Sequence, residues 1–169
     1  MQKIIPSLWF DKETDEAINF YVSVFNGSPS KSGKSGIVSI ARYEKGMEIP
    51  GGADMTGKII TAIFELNGQR FMALDGGPIF KFNEAVSFYV GCEDQEEVDY
   101  FWGKLSAVPE SEQCGWLKDK YGLSWQIIPK QMGKLLSDPN RKKALAATNA
   151  MLKMKRIVIA DLQKAFDET

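Results

Sequence analysis

Glu65 and Arg70 are the pair of charged residues whose spacing could support catalysis. They flank Asn67-Gly68, the strongest two-residue signal for a β-hairpin, so they are expected on neighbouring strands. Glu65 is placed near the apolar Ile63 and Met72 and could act as a general base, while Arg70 stabilises an anion. The alternative, which the pattern favours, is an ion pair across the hairpin, because opposite charges commonly pair across neighbouring strands.

The absence of histidine limits the chemistry further. The 169-residue chain contains none, which excludes Ser-His-Asp and Cys-His catalysis and a metal site of two histidines and a carboxylate. Its two cysteines, Cys92 and Cys114, have neither CxxC spacing nor histidine neighbours. The sequence therefore predicts no zinc centre and no thioredoxin-type redox pair, and we interpret both thiols as buried or idle.

Hydrophobic periodicity predicts the elements that position Glu65 and Arg70 in a first module. The predicted strands are residues 4–10, 37–43, 58–66 and 70–74, and the predicted helix is residues 14–25. Thr14 or Asp15 can cap this helix, and Asn26-Gly27 ends it. A Gly-rich loop follows from Glu44 to Gly57, and its length is typical of a lid or of a disordered segment.

The same pattern recurs after an offset of eighty positions. Residues 7–10 align with 87–90, and the apolar helix positions from Ile18 to Phe25 align with those from Val98 to Leu105. The closing strands also match, 68–74 with 122–128, and the second of these lies in a hairpin that turns at residues 119–122. We therefore predict two modules of strand, helix and strands, of which the second has lost or shrunk a strand.

Each sheet is expected to have one apolar face toward its helix and one mixed face. The predicted core comprises Leu8, Phe10, Ala62, Phe64, Leu66, Phe71, Ala73, Val86, Phe88, Val90, Trp125 and Ile127. The predicted mixed face comprises Ile5, Ser7, Trp9, Thr61, Ile63, Glu65, Arg70, Met72, Leu74, Ala85, Ser87, Tyr89, Ser124, Gln126 and Ile128. A wet antiparallel face would explain this mixture, but large aromatic residues among polar ones favour a binding site or an interface.

Residues 130–169 are predicted to be a helical tail, with a helix starting at Asp138-Pro139. The predicted division is a domain at 1–129, with modules at 1–75 and 83–129, followed by this tail. Lys plus Arg (21) nearly balances Asp plus Glu (22), so no nucleic-acid partner is expected. The sequence has no apolar run of membrane-spanning length and no signal-peptide pattern, so we expect no membrane partner and a cytoplasmic location.

Several longer segments together resemble a known family. They are PSLWFD with EAINFYVSVF, FELNGQRFMALDGGPIFKF, SFYVGCEDQEEVD, QCGWLKDKYGLSWQIIP and KKALAATNAMLKMKRIVIADL. These segments are similar to the PhnB-like group of the vicinal oxygen chelate (glyoxalase, bleomycin-resistance and dioxygenase) superfamily, whose members are often labelled demethylubiquinone methyltransferase-like. The resemblance implies an α+β fold of two βαβββ modules whose curved sheets surround a cleft lined by the mixed face.

The resemblance also locates the positions where metal-dependent relatives hold a divalent ion, with two His and two Glu. Here those positions are Ile5, Met72, Ala85 and Gln126. Only Gln126 offers an oxygen donor, and one amide cannot replace a chelate of ionised ligands. We therefore expect no metal and no other cofactor.

The methyltransferase label has no support in the residues, because the first strand runs into residues 10–13 without a Gly-rich turn. We treat the label as inherited nomenclature. The leading hypothesis is a metal-free cleft that binds a small aromatic or apolar molecule. The expected cleft residues are Ser7, Trp9, Arg70, Met72, Ser87, Tyr89 and Gln126.

Two alternatives remain open. One is a metal-independent enzyme in which Glu65 is the acid or base. The other is a homodimer that buries the mixed face, with the Gly-rich loop crossing over the partner. A homodimer is also expected under the binding hypothesis.

Overall fold

The computed structural model describes residues 2–30, 33–49 and 54–169, and these divide into two compact units. The first unit runs to Gly27 and continues from Gly33 to Phe82; the second contains Ser28–Ser30 and Asn83–Thr169. Residues 50–53 of the predicted Gly-rich loop lie outside the described residues. The predicted α+β class is confirmed, because each unit contains a mixed sheet together with one helix or more.

The first unit has the predicted strand-helix-strand-strand-strand order. Its elements are β1 (Ser7–Phe10), α1 (Thr14–Asn26), β2 (Gly36–Arg42), β3 (Ile59–Leu66) and β4 (Gln69–Asp75). The sheet order is β1-β4-β3-β2, with β1 parallel to β4 and the other pairs antiparallel. Asn67 and Gly68 have φ values of 47° and 80°, as a type I′ turn requires, so the predicted β3-β4 hairpin is confirmed.

The first strand is shorter than predicted. It begins at Ser7, whereas Ile4 is 90% exposed. Pro6 has no backbone N–H to extend the ladder, although its carbonyl accepts a hydrogen bond from Met72 N at 2.9 Å. Ile5 therefore precedes the strand.

Helix α1 buries the predicted apolar stripe but is capped in a different way. Neither Thr14 nor Asp15 caps it; instead the buried Asp75 at the end of β4 accepts a hydrogen bond from Thr14 N at 3.0 Å. The other carboxylate oxygen of Asp75 accepts from Ile59 N at 3.0 Å. One side chain thus joins α1, β3 and β4, because it satisfies an N–H group that has no partner within the helix.

The second unit has a reduced sheet followed by helices. Its elements are β5 (Ser87–Cys92), α2 (Gln95–Leu105), β6 (Trp116–Lys118), β7 (Ser124–Pro129), α3 (Lys130–Leu136), α4 (Arg141–Met151) and α5 (Ile159–Asp167). A short 3-10 helix lies at Pro109–Ser111. The sheet order is β5-β7-β6, with β5 parallel to β7. The second module therefore has one strand fewer than the first, as predicted.

Strand pairing differs between the modules by two residues. Ser7 lies beside Met72 in the first sheet, whereas Ser87 lies beside Ser124 in the second. The sequence alignment had matched Met72 with Gln126, so pairing makes Ser124 the structural counterpart. Because the shift is even, Gln126 stays on the same face of β7.

Three predicted burial states are wrong. Val86, assigned to the core, is 64% exposed because β5 begins one residue later. Ile128, assigned to the mixed face, is buried because the C-terminal helices cover it. Ser124, also on the predicted mixed face, is only 2% exposed.

The C-terminal helices build a small core of their own around Ile128. Its buried members are Ile128, Leu135, Ala147, Ile157 and Leu162. Helix α4 does not start at Asp138-Pro139, because Asp138 accepts a hydrogen bond from Asn140 N at 2.8 Å and Asn140 caps the helix. Within the described ranges, no helix has the length and apolar character needed to cross a membrane.

Candidate functional site

The mixed face of the first sheet brings together the residues predicted from the first module. Met72 lies between Ser7 on β1 and Ile63 on β3, and Trp9 lies beside Leu74. The side chains of this face are half-buried or exposed, whereas those of the opposite face, such as Phe64 and Phe71, are buried. Alternation along each strand therefore produces the predicted separation of the two faces.

Trp9 is held in one orientation by the segment after β4. Its Nε1 donates a hydrogen bond to Gly77 O at 2.8 Å, and Phe80 packs edge-on with ring centroids 5.0 Å apart. A Cβ atom at Gly76 would lie 2.2 Å from the Trp9 ring, so only glycine allows this close approach. The indole is thereby pre-oriented, which lowers the conformational entropy that a bound ring would cost.

Glu65 and Arg70 form the ion pair that the hairpin predicted. Arg70 Nε donates to Glu65 Oε1 at 2.7 Å, with 27% of the Glu65 side chain exposed. The two residues are direct neighbours across β3 and β4. Glu65 is therefore engaged by a guanidinium, as in the structural alternative, while its catalytic role stays a prediction.

The mixed face of the second sheet carries the other predicted site residues. Gln126 lies beside Tyr89, and its Nε2 donates a hydrogen bond to Ser87 Oγ at 2.8 Å. Tyr89 is 62% exposed, and Gln126 is half-buried. An amide, a hydroxyl and an accessible aromatic ring thus lie within two adjacent strands.

Sequence reasoning missed two residues of this face, Trp116 and Lys118. They lie on β6 beside Gln126 and Ser124 respectively, and Leu117 between them is buried. Lys118 forms an ion pair with Glu84, and this hydrogen bond lowers the pKa of the Glu84 carboxyl below its ordinary value. The alternation Trp-Leu-Lys was the available signal, since it is the period-2 pattern of a half-buried strand.

The positions that hold a divalent ion in metal-dependent relatives do not fit one here. Ile5, Met72 and Ala85 have no donor atom suited to such an ion, and Gln126 offers a neutral amide. Ser124, the counterpart of Met72 by strand pairing, would add only a hydroxyl. In the parts of the chain that the structure describes, no group of three or more Cys, Asp or Glu side chains could hold a metal.

Each module has a parallel contact between its first and last strand. Together with the similar solved structures, this places the protein in the PhnB-like group of the glyoxalase-fold, vicinal oxygen chelate class. The model of the 3-demethylubiquinone-9 3-methyltransferase family matches residues 2–128. The chain belongs to this family, which confirms the resemblance inferred from the sequence.

Solved structures agree with this assignment. The PhnB protein of Bacillus cereus, described provisionally as a 3-demethylubiquinone-9 3-methyltransferase, is 40% identical, with a TM-score of 0.59. The match covers 76% of this chain and 99% of that protein. A Pseudomonas aeruginosa protein shares the fold at 18% identity, with a TM-score of 0.56 and coverage of 76% and 98%. No curated protein matches the chain.

Proposed function

We propose that this protein binds a small aromatic or apolar molecule on its mixed faces without a metal ion. The observation that carries the proposal is Trp9, whose ring is fixed by Gly77 O and Phe80 next to the apolar Leu74. Apolar surface with a few fixed polar groups is the usual composition of a small-molecule site. Ser7, Met72 and Arg70 supply the polar and apolar surroundings in the first unit, and Ser87, Tyr89 and Gln126 supply them in the second.

Tryptophan fluorescence tests this proposal. Titration with flat aromatic compounds such as naphthalene derivatives should quench the emission, and Trp9→Phe should remove the part of the change that comes from the first face. Trp102→Phe, on helix α2, is the matched control and should leave the quenching intact. If none of the compounds quenches, or if Trp9→Phe behaves like the control, the proposed role of the first face is wrong.

Elemental analysis tests the metal-free part of the proposal. Protein purified without chelator should carry far less than one equivalent of zinc, nickel or manganese, and ligand quenching should survive treatment with EDTA. Stoichiometric metal that is lost in Gln126→Ala would contradict the proposal.

A metal-independent enzyme is the second candidate, favoured by the placement of Glu65 and Arg70 on the mixed face. In that case Glu65 would transfer a proton while Arg70 stabilises an anion. Any turnover found by an activity screen should then fall at least about a hundredfold in Glu65→Gln. Turnover that is unchanged in Glu65→Gln would remove this residue from the mechanism.

Methyl transfer, which the family description names, is not the function we propose. Strand β1 ends at Phe10 and is followed by Asp11, Lys12 and Glu13, without the Gly-rich turn that binds S-adenosylmethionine in doubly wound methyltransferases. We expect no binding of this cofactor by calorimetry. Measurable binding would reopen the methyltransferase assignment.

We also propose that the protein is a cytoplasmic homodimer. Large apolar side chains are exposed in both units, including Ile79 at 74% and Phe80 at 62% in the first and Leu145 at 58% in the second, and a continuous patch of such side chains would suit an interface. Both cysteines are free thiols, in keeping with a reducing compartment. Light scattering should give twice the chain mass at micromolar concentration, and a monomer at all concentrations would refute the dimer. Cell fractionation tests the location and should recover the protein with cytoplasmic markers.

A further inference from the structure

Two adjacent rows of side chains cross the mixed face of the second sheet. Pairing of β5, β7 and β6 aligns Ser87, Ser124 and Lys118 in what we call the polar row. Two residues away along each strand, the same pairing aligns Tyr89, Gln126 and Trp116 in what we call the aromatic row. A flat ring could therefore lie on the aromatic row while a substituent reaches the polar row.

The polar row offers more hydrogen-bond donors than acceptors. Ser87 Oγ already accepts a hydrogen bond from Gln126, so the Ser87 hydroxyl hydrogen can be donated elsewhere. Lys118 adds an ammonium group with three donors, of which Glu84 uses one. A ligand group that only accepts hydrogen bonds is the complement of this row.

Ser124 gives an independent indication of a ligand. Ser124 is 2% exposed, and its Oγ has no hydrogen-bond partner among the described residues. A buried hydroxyl without a partner is unfavourable, because the hydrogen bond it made to water is not replaced. Because this Oγ is covered, an oxygen atom of a ligand would supply the missing partner by displacing a neighbouring side chain of the polar row.

Glu84 is the partner of Lys118 that a ligand anion could replace. The Glu84 side chain is 60% exposed and lies on the surface end of the ion pair with Lys118. Exposed ion pairs contribute little to stability, so a ligand anion can replace the Glu84 carboxylate at small cost. The incoming group would then meet Lys118 from the side where a carboxylate already binds.

We propose that the polar row binds the carboxylate of an aromatic acid whose ring lies against the aromatic row. This inference rests on the proposed small-molecule function and names the ligand class for the second sheet. Lys118, Ser124 and Ser87 donate to the carboxylate oxygens, and Tyr89 and Trp116 contact the ring.

Three naphthalenes that differ in one substituent test the inference: 2-naphthoate, 2-naphthalenemethanol and 2-naphthylmethylamine. Calorimetry at pH 7 should show that the carboxylate binds about tenfold or more tightly than the alcohol, with the amine weakest. Lys118→Met and Ser124→Ala should each lower the affinity for 2-naphthoate by about tenfold and leave the affinity for the alcohol nearly unchanged. Lys120→Met, an exposed lysine of the neighbouring turn, is the matched control and should have no effect.

The outcomes separate this inference from the broader function. Equal binding of all three compounds would overturn the carboxylate assignment and leave small-molecule binding intact, whereas no binding by any of them would overturn both. Ser124→Ala removes a hydroxyl that has no partner, so its melting temperature should equal or exceed that of the wild type. Unchanged 2-naphthoate affinity in a folded Ser124→Ala protein would exclude Ser124 from the site.

Discussion

At the scale of single residues, the buried Asp75 joins three elements of the first unit. It is 2% exposed, and its two oxygens accept hydrogen bonds from Thr14 N and Ile59 N. In Asp75→Asn an amide group would face one of these N–H groups, so the free energy of unfolding should fall by about 2–3 kcal/mol. Urea denaturation measures the change. Asp161→Asn, at an exposed position of α5, is the control, and a loss no larger than this control would show that the carboxylate is dispensable.

Cys92 should be inert although it is a free thiol. Burial, with the nearby carboxylates of Glu97, Asp94 and Glu93, raises the pKa of the Cys92 thiol from its ordinary 9.0 to about 12. Because only the thiolate reacts, iodoacetamide at pH 8 should add one group to the folded protein, at half-buried Cys114, and two in urea. Mass spectrometry counts the additions, and native labelling of Cys92 would contradict the expectation.

The same thiol predicts a direction for alkaline stability. Between pH 9.0, where an ordinary Cys92 thiol titrates, and about 12, where the folded one does, the unfolded chain holds fewer protons than the folded chain. The free energy of unfolding should therefore decrease as pH rises through this interval. Cys92→Ala should lack this part of the decrease in parallel denaturation curves, and identical pH slopes would contradict the assignment.

Residues on regular strands were predictable from the sequence, whereas contacts between distant segments were not. Alternation placed Trp9 and Gln126 on mixed faces, and Asn67-Gly68 fixed the register that pairs Glu65 with Arg70. The bond from Thr14 N to Asp75 spans 61 positions, and no local pattern encodes it because it depends on how α1 packs on the sheet. Capping preferences consider only residues near the helix start, so they suggested Thr14 or Asp15 as the cap and missed Asp75.

At the scale of elements, a tight turn before β6 anchors the C-terminal segment. Cys114 and Gly115 have φ values of 49° and 86°, as in a type I′ turn, and their N–H groups donate to the carbonyls of Met154 and Lys155 at 2.8 and 2.7 Å. A Cβ atom at Gly115 would lie 2.5 Å from Ile128 Cδ1. The turn therefore packs directly on the core that the C-terminal helices share with β7.

Gly115→Ala should consequently destabilise the protein by about 2–4 kcal/mol, through both backbone strain and overpacking. Gly133→Ala is the matched control, since Gly133 lies in helix α3 with open space around its Cα. That substitution should stabilise the protein by up to about 1 kcal/mol, because alanine favours a helix. Thermal denaturation compares the two variants, and equal melting temperatures would refute the role of the turn.

Element boundaries show a second limit of sequence reasoning. The Asp138-Pro139 pattern located the region where α4 begins, yet Asp138 bonds to Asn140 N and leaves the capping position to Asn140. Both residues are good caps, so propensity alone could not choose between them. Strand β5 likewise starts one residue after Val86, which turned a predicted core residue into an exposed one.

At the scale of the whole molecule, the C-terminal helices lie beyond the family match, although their sequence is one of the segments that resemble the family. The family match ends at residue 128, before the first of these helices. They nevertheless belong to the second compact unit, where Gln95 holds the segment before α5 through hydrogen bonds with Ile157 O and Ile159 N. The sequence predicted a helical tail but could not show that it packs on Ile128 of β7.

Removal of residues after Pro129 should therefore unfold the second unit and not merely shorten the chain. Ile128 would lose its contacts with Leu135, Ile157 and Leu162, and exposing such side chains costs about 1.5–3 kcal/mol each, a large share of the stability of a domain. We expect the truncated chain to be insoluble or to lack a cooperative transition, as measured by sedimentation and calorimetry. Truncation after Asp167 removes only exposed residues and should behave as the wild type. A soluble 1–129 fragment with wild-type melting would instead mean that the family core is stable alone and that the helices serve another purpose.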